Sequence, residues 1–341
     1  MVRIEIGPMA AKVFLTLLVA LVTVKAVKAV TSCRDRCGHF NRASRCQCNS
    51  ACARFGDCCH DYLTVCNPGG RPGEVPVTKQ PILSRDISRL ADSLWAADSN
   101  RLPGMMYSIR KQSRITHVYR RRDTAPKSLF FNVLPAALYG QTITPFRALL
   151  NNYERSAGVP ERNTITKQRE ISEFLEAIFS TDVIQTTYNL LHNKGHFASQ
   201  AEFKDFLNAT WFGLYSRSGG VLDSSAFEHT FVGEMKNGAV TGFHNWIQFC
   251  LQERAGNLNY YGYTREKQPN QLLLQFNWLG QVKTRSSIMH GVSPEFELAL
   301  FTTCYIAQPN NLCRFTINDR SVAIRTWKHE GDKLGAAYFY V

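Results

Sequence analysis

From Leu83 onward, apolar positions first follow a helical period and then an alternating one. Ile171, Phe174, Leu175, Ile178 and Phe179 sit at i, i+3, i+4, i+7 and i+8, the buried stripe of one helix. Ser199-Gln200-Ala201-Glu202 has the form of a capping box, and Phe203, Phe206, Leu207 and Trp211 form the core face of the helix it opens. Later segments, 227–236, 239–247 and 271–279, carry aromatic and β-branched residues between turn signals and read as strands. Ser293-Pro294-Glu295 is a helix start, with proline at the first helical position and an acid in the first turn, so a helix is expected over 294–306. Helices gathered before antiparallel strands predict an α+β domain over residues 83–341. The other long apolar run, residues 13–24, follows Arg3 and Lys12 and precedes Val27-Lys28-Ala29. It reads as the core of a signal peptide, residues 1–29, because a spanning helix needs roughly 20 apolar residues. A signal anchor is the alternative, and no other stretch approaches a membrane span.

Cysteine placement divides the chain further. Of 11 cysteines, eight lie between Cys33 and Cys66: Cys33, Cys37, Cys46, Cys48, Cys52, Cys58, Cys59 and Cys66. Few aliphatic residues separate them, so cross-links must replace a core in this segment, 30–67. Four disulfides are expected, with 105 pairings open. A zinc site is the rival, disfavoured in an oxidising compartment. Residues 68–82, rich in proline and glycine, read as a linker. Signal and cysteines together indicate a secreted protein, in which the sequon Asn208-Ala209-Thr210 is a glycosylation candidate. Three cysteines remain. Cys304 and Cys313 close a short loop and form the expected pair, leaving Cys250 as a buried thiol.

The net charge is +13, and removing residues 1–29 takes away four bases and one acid, leaving +10. Such a surface favours RNA, glycosaminoglycan or anionic membrane, or simply keeps the protein in solution. Within 110–122, Arg110, Lys111, Arg114, Arg120, Arg121 and Arg122 occur without an acid. They would track a phosphate backbone or form a solvated loop.

The candidate chemistry centres on residues 227–246. Asn237-Gly238 is a strong hairpin signal, and a two-residue turn pairs Lys236 with Ala239. Extending that register sets Phe231 opposite His244 and His229 opposite Trp246. His229 and His244 then share one face as diagonal neighbours, about 7–8 Å apart, whereas Glu228 and Glu234 face away. Two imidazoles so placed can act as general acid and general base on one atom centre. Core histidines and metal ligands are the alternatives, although no third ligand at metal spacing is evident.

Two resemblances sharpen these expectations. CRDRC, CQCNSAC and DCCHDYLTVC resemble a somatomedin B domain, which implies a disulfide knot that binds a protein partner and has no catalytic activity. FEHTFVGEMKNGAVTGFHNW (227–246), GQVKTRSS (280–287) and GVSPEFE (291–297) resemble the poly(U)-specific endoribonuclease, or EndoU, family across essentially all of 83–341. The resemblance implies catalytic His229, His244 and Lys283, with His244 as base and His229 as acid. It implies that Glu228 and Glu234 orient these groups, that Ser287 contacts the base, and that Tyr338 stacks on the sugar or base. The substrate would be single-stranded RNA cut at uridylates into 2′,3′-cyclic phosphate and 5′-hydroxyl ends, by a monomer that responds to Mn²⁺. The family usually has Ser or Thr where this chain has Ala336, and Pro where it has Phe339, which puts one substrate hydrogen bond in question. A serine protease lacks support, since no Gly-x-Ser-x-Gly is present. A non-enzymatic binder of RNA or glycosaminoglycan does not explain why His229, His244 and Lys283 occur together.

Overall fold

A computed structural model describes residues 31–49, 51–66, 79–117, 121–329 and 333–341. The expected signal peptide, most of the expected linker and Arg120 lie outside the described residues. The chain divides into two units, residues 1–78 and 79–341.

In the smaller unit, two short helices, α1 (Cys52–Phe55) and α2 (Tyr62–Cys66), are held by the disulfides Cys33–Cys48, Cys37–Cys66, Cys46–Cys59 and Cys52–Cys58. Its interior is little more than Cys33, Cys48 and Cys59, with Tyr62 and Val65 against them. All eight thiols are consumed, so none is left for zinc.

The larger unit begins earlier than the sequence led us to expect. The Gln80 N–H donates to Lys194 O at 2.8 Å and Ile82 is buried, so 79–82 are part of this unit rather than of a linker. Helices come first: α3 (Ser84–Ala97), α4 (Ile143–Leu149), α5 (Ile165–Phe179), α6 (Asp182–Asn193) and α7 (Gln200–Phe212), with the two-residue pair β1 (Ser108–Ile109) and β2 (Phe130–Phe131) between α3 and α4. Ile171, Phe174, Leu175 and Ile178 of α5 are buried, as the period requires, and Phe179 is partly buried. Ser199 caps α7 by accepting from Glu202 N, while the Glu202 carboxylate reaches back to Ala198 N.

Antiparallel strands follow: β3 (Tyr215–Ser218) with β4 (Val221–Ser224), β5 (Glu234–Lys236) with β6 (Ala239–Thr241), and two three-stranded sheets. One sheet is β7 (Leu258–Lys267), β8 (Gln271–Trp278) and β9 (Gln281–Met289); the other is β10 (Leu312–Ile317), β11 (Arg320–His329) and β12 (Lys333–Phe339). Helix α8 (Trp246–Arg254) precedes the first sheet, and α9 (Pro294–Ala307) lies between the two. Helix α9 is buried from Pro294 to Tyr305, and its core position is anchored by Trp211, whose Nε1–H donates to Thr302 Oγ1 at 2.9 Å. Cys304 on α9 is bonded to Cys313 on β10, and Cys250 is a buried free thiol. Among the described residues, no helix is long and apolar enough to cross a membrane.

The expected long hairpin is the main departure. The register at the turn holds, with Lys236 opposite Ala239, but pairing covers only Glu234–Lys236 and Ala239–Thr241. Residues 228–232 instead wind into a π-helical turn, and 246–254 form α8. Phe227, Phe231 and Val232 enter the core together, which a winding backbone permits and an alternating strand does not. The start of α8 carried a readable signal, Asn245, whose side chain accepts from Ile247 N and Gln248 N.

Candidate active site

His229 lies in the π turn, and His244 is the last residue before the cap of α8. Their approach is made by backbone rather than by a paired strand. Phe243 N donates to His229 O at 2.9 Å, and His244 N donates to Thr230 O at 2.7 Å. Gly242 has φ +63°, and a Cβ there would fall 1.7 Å from His229 O, so only glycine lets the two segments meet. Asn245, besides capping α8, donates from Nδ2 to Glu297 Oε2 at 2.7 Å and ties the site to α9.

Both rings line one cleft of about 480 Å³, with Arg217, Thr241, Lys283, Arg285, Ser286, Ser287, Tyr338 and Tyr340 also in its wall. The histidines therefore share a site as expected, but for a reason other than sheet parity. The parity argument also sent Glu234 away from His229, but the fold brings the two together. Glu234 Oε2 lies 2.7 Å from His229 Nδ1, because the π turn and Gly233 (φ +92°) bring the chain back on itself. Glu234 also accepts from Arg217 and from the Ser224 hydroxyl, and it is almost fully buried. Its interactions with His229 and Arg217 outweigh the effect of burial and hold its carboxyl below the usual range. The negative charge of Glu234 is thus fixed behind His229, with Nδ1–H donating to it and Nε2 left as the titrating nitrogen.

His244 is held differently. Its Nδ1 lies 3.2 Å from the Ser287 carbonyl oxygen, which can only accept, so Nδ1 carries the proton and Nε2 is basic. Tyr338 stacks on the ring at 4.8 Å and 18° between planes. Burial, then Lys283 and His229, lowers the His244 pKa well below the ordinary value. The pKa of His229 is also lowered by burial, but Glu234 acts in the opposite direction. Lys283 projects half-buried from β9, and burial together with Arg217 brings its ammonium down to about 8.

Glu228 does not join these groups by any hydrogen bond among the described residues. It is buried, with neither carboxylate oxygen partnered, and burial followed by repulsion from Glu234 and Glu161 pushes its pKa up to about 10. It is a neutral acid at pH 7. Ala336 presents only a methyl group beside His229 in an adjoining recess, and Phe339 is turned into the core against Phe301. Asn208 is exposed on α7.

Arg217 was not apparent from the sequence. It reaches from the β3–β4 hairpin to Glu234 and Thr241, with its NH1 atom 2.6 Å from His229 Nδ1. Twelve positions separate it from His229 with no motif between, so only the folded hairpin reveals it. Ser286, inside the 280–287 motif but assigned no role there, donates to Phe243 O and lies 3.2 Å from His244 Nδ1. The donor set does not fit a resident divalent cation. The cleft wall carries Arg217, Lys283 and Arg285, and Glu234 is already engaged by a guanidinium, an imidazole and a hydroxyl. Among the described residues, the cluster of three ligand atoms close enough to hold a metal is Cys33, Cys48 and Cys59, all disulfide-bonded.

Similarity to known proteins places the chain in a family. A model of the Endoribonuclease XendoU family matches residues 86–339, and one of the somatomedin B domain matches 31–69. The uridylate-specific endoribonuclease of Homo sapiens is 36% identical over 320 residues, covering 92% of this chain and 77% of that protein. The one from Paralichthys olivaceus is 36% identical over 371 residues, covering 94% of this chain and 95% of its own. The solved structure of XendoU, described as a splicing-independent snoRNA-processing endoribonuclease, superposes with a TM-score of 0.65 at 37% identity, over 76% of this chain and 97% of that one. With the imidazole pair and its lysine gathered in one cleft, and with relatives matched over most of their length, the chain belongs to the XendoU endoribonuclease family and carries a somatomedin B domain ahead of the family's own.

Proposed function

We propose that the chain is a secreted endoribonuclease that cuts single-stranded RNA at uridylates, leaving 2′,3′-cyclic phosphate and 5′-hydroxyl ends. The relatives' names support the uridylate specificity. The observation that carries the reaction is the unequal support of the two histidines: Glu234 stands behind His229, and a neutral carbonyl stands behind His244. A carboxylate stabilises imidazolium and favours the acid, whereas burial without a carboxylate favours the neutral base. His244 Nε2 takes the proton of the ribose 2′-hydroxyl as that oxygen attacks phosphorus. The bond from phosphorus to the 5′-oxygen breaks, and His229 Nε2 gives its proton to the leaving oxygen. Lys283 stabilises the charge that builds on the phosphoryl oxygens. Ser287 and Tyr338 receive the uracil, and any Mn²⁺ response enters with the RNA phosphates rather than through protein ligands. The Asn208 sequon and the disulfide knot support export, and the knot offers a surface for a protein partner.

The test is cleavage of a fluorogenic uridine-containing oligonucleotide, with end-group analysis. Wild type should release cyclic phosphate, and His244→Ala should lower kcat by roughly 10²–10⁴-fold, the usual worth of a general base. Equal rates in the two proteins, or 3′-hydroxyl ends, refute the mechanism.

A further inference from the structure

The cleft does not end at the uracil site. In an antiparallel pair, residues opposite each other share a face. On one sheet, Ser287 is opposite Leu273, and Leu273 is opposite Arg265. Ser287 and Leu273 line the cleft, so Arg265 continues that face about two strand spacings, roughly 10 Å, beyond Ser287. Lys267, opposite Gln271, lies two residues along on the same side. The second sheet shows the matching arrangement. Half-exposed Tyr340 lines the cleft, and its N–H donates to Ala323 O at 2.7 Å. Ala323 is in turn opposite Arg314 on β10.

The two rows converge. Both start from the wall of one cleft, the first at Ser287 and Leu273 and the second at Tyr340, and Arg314 and Arg265 stand close enough to Lys267 to add to the effect of burial in lowering its pKa. Arg265 and Arg314 are exposed. Glu266 alternates to the opposite face and is engaged there by Lys111 at 2.7 Å. Like charges gathered at the end of an RNA-binding cleft are mutually repulsive until an anion joins them.

Direction follows from the proposed function, on which this inference rests. The acid, His229, marks the wall where the 5′-oxygen departs, so the 3′ product leaves there. The wall beyond Ser287 and Tyr338 is left for the other end of the strand. We propose that Tyr340, Arg265, Lys267 and Arg314 form a binding subsite for the nucleotides on the 5′ side of the cleaved uridylate. Tyr340 supplies a face on which a base stacks, and the three cations bind the phosphates.

The experiment compares wild type with the triple variant Arg265→Ala/Lys267→Ala/Arg314→Ala and with Tyr340→Ala, as full chains. Each receives three substrates: a uridylyl-adenosine dinucleotide, and short oligoadenylates with one uridylate extended on its 5′ or its 3′ side. The 5′-extended substrate should show a KM raised on the order of tenfold in the triple variant, with kcat and all dinucleotide kinetics unchanged. Its binding, followed by fluorescence anisotropy, should lose about 2 from the salt slope, at roughly 0.7 per phosphate contact. Unchanged dinucleotide turnover shows that the cleft is intact. An equal loss on both extended substrates, a loss confined to the 3′-extended one, or no loss at all overturns the subsite. Wild-type protein that binds the 5′-extended strand preferentially but cleaves nothing overturns the endoribonuclease reading and leaves the subsite standing.

Discussion

Arg217 neutralises Glu234 without displacing it from His229, so the carboxylate remains charged in a buried place where it would otherwise be protonated. Charge-assisted hydrogen bonds of this kind contribute about 1.5–3 kcal/mol. Arg217→Ala should therefore lower kcat by roughly 10–100-fold and shift the pH profile of His229, whereas a merely structural loss would lower Tm and leave the profile in place. The pH dependence itself has two expected breaks. His244 is neutral at pH 7, so kcat/KM should fall as pH drops through a value below 6.5 and the base becomes protonated. Lys283 loses its charge as pH rises through about 8, which produces a fall on the alkaline side. Lys283→Arg keeps a cation and should remove that second break; a profile unchanged in the variant refutes the assignment. At this scale, the residues carried by long motifs, His229, His244 and Lys283, were legible in the sequence. Arg217 was not, because its role comes from where the β3–β4 hairpin brings it and it leaves no local pattern; Ser286 lies within the 280–287 motif, but its contact with His244 shows only in the fold.

The winding of residues 228–232 decides the geometry at the level of elements. Alternation along the chain placed Glu234 and His229 on opposite sides, and it would have been right for a strand. Phe227, Phe231 and Val232 all seek the core, and the backbone wraps to satisfy them. The Asn237-Gly238 turn was legible because it is local; the length of the hairpin was not, because tertiary burial set it. Gly242 is where the cost of a substitution should appear. Gly242→Ala drives a Cβ into His229 O and should reduce both Tm and kcat, since the 229–243 contact cannot close. Gly238→Ala meets only Gln281 Oε1 at 3.9 Å and carries about 1–2 kcal/mol of left-handed strain, so its Tm should fall with kcat kept. Similar kcat values in the two variants would show that the 229–243 contact does not position the histidines.

The whole molecule joins two ways of stabilising a fold. The small unit has an interior of cystines, while the larger has a continuous aromatic and aliphatic core through which α9 runs. A thiol reductant on the full chain should open the first and spare the second, whose single disulfide closes a separation of nine residues. Cleavage of the dinucleotide should persist while probes of the 31–66 segment report unfolding; parallel loss of both would show that the core of the larger unit depends on Cys304–Cys313 or on the knot. The fold class was legible from the order of helical and alternating segments, and the cystine unit from the density of cysteines and the scarcity of aliphatic residues among them, its pairing excepted.

The walls of the cleft come from Arg217, from the π turn, from β9 and from Tyr338 and Tyr340 at and beyond β12, more than a hundred residues apart in the chain. During synthesis the two histidines emerge well before the tyrosine that stacks on one of them. A nascent chain therefore carries its proton donors and acceptors without a finished wall to bind a strand, and the cleft is assembled only once β12 has been made.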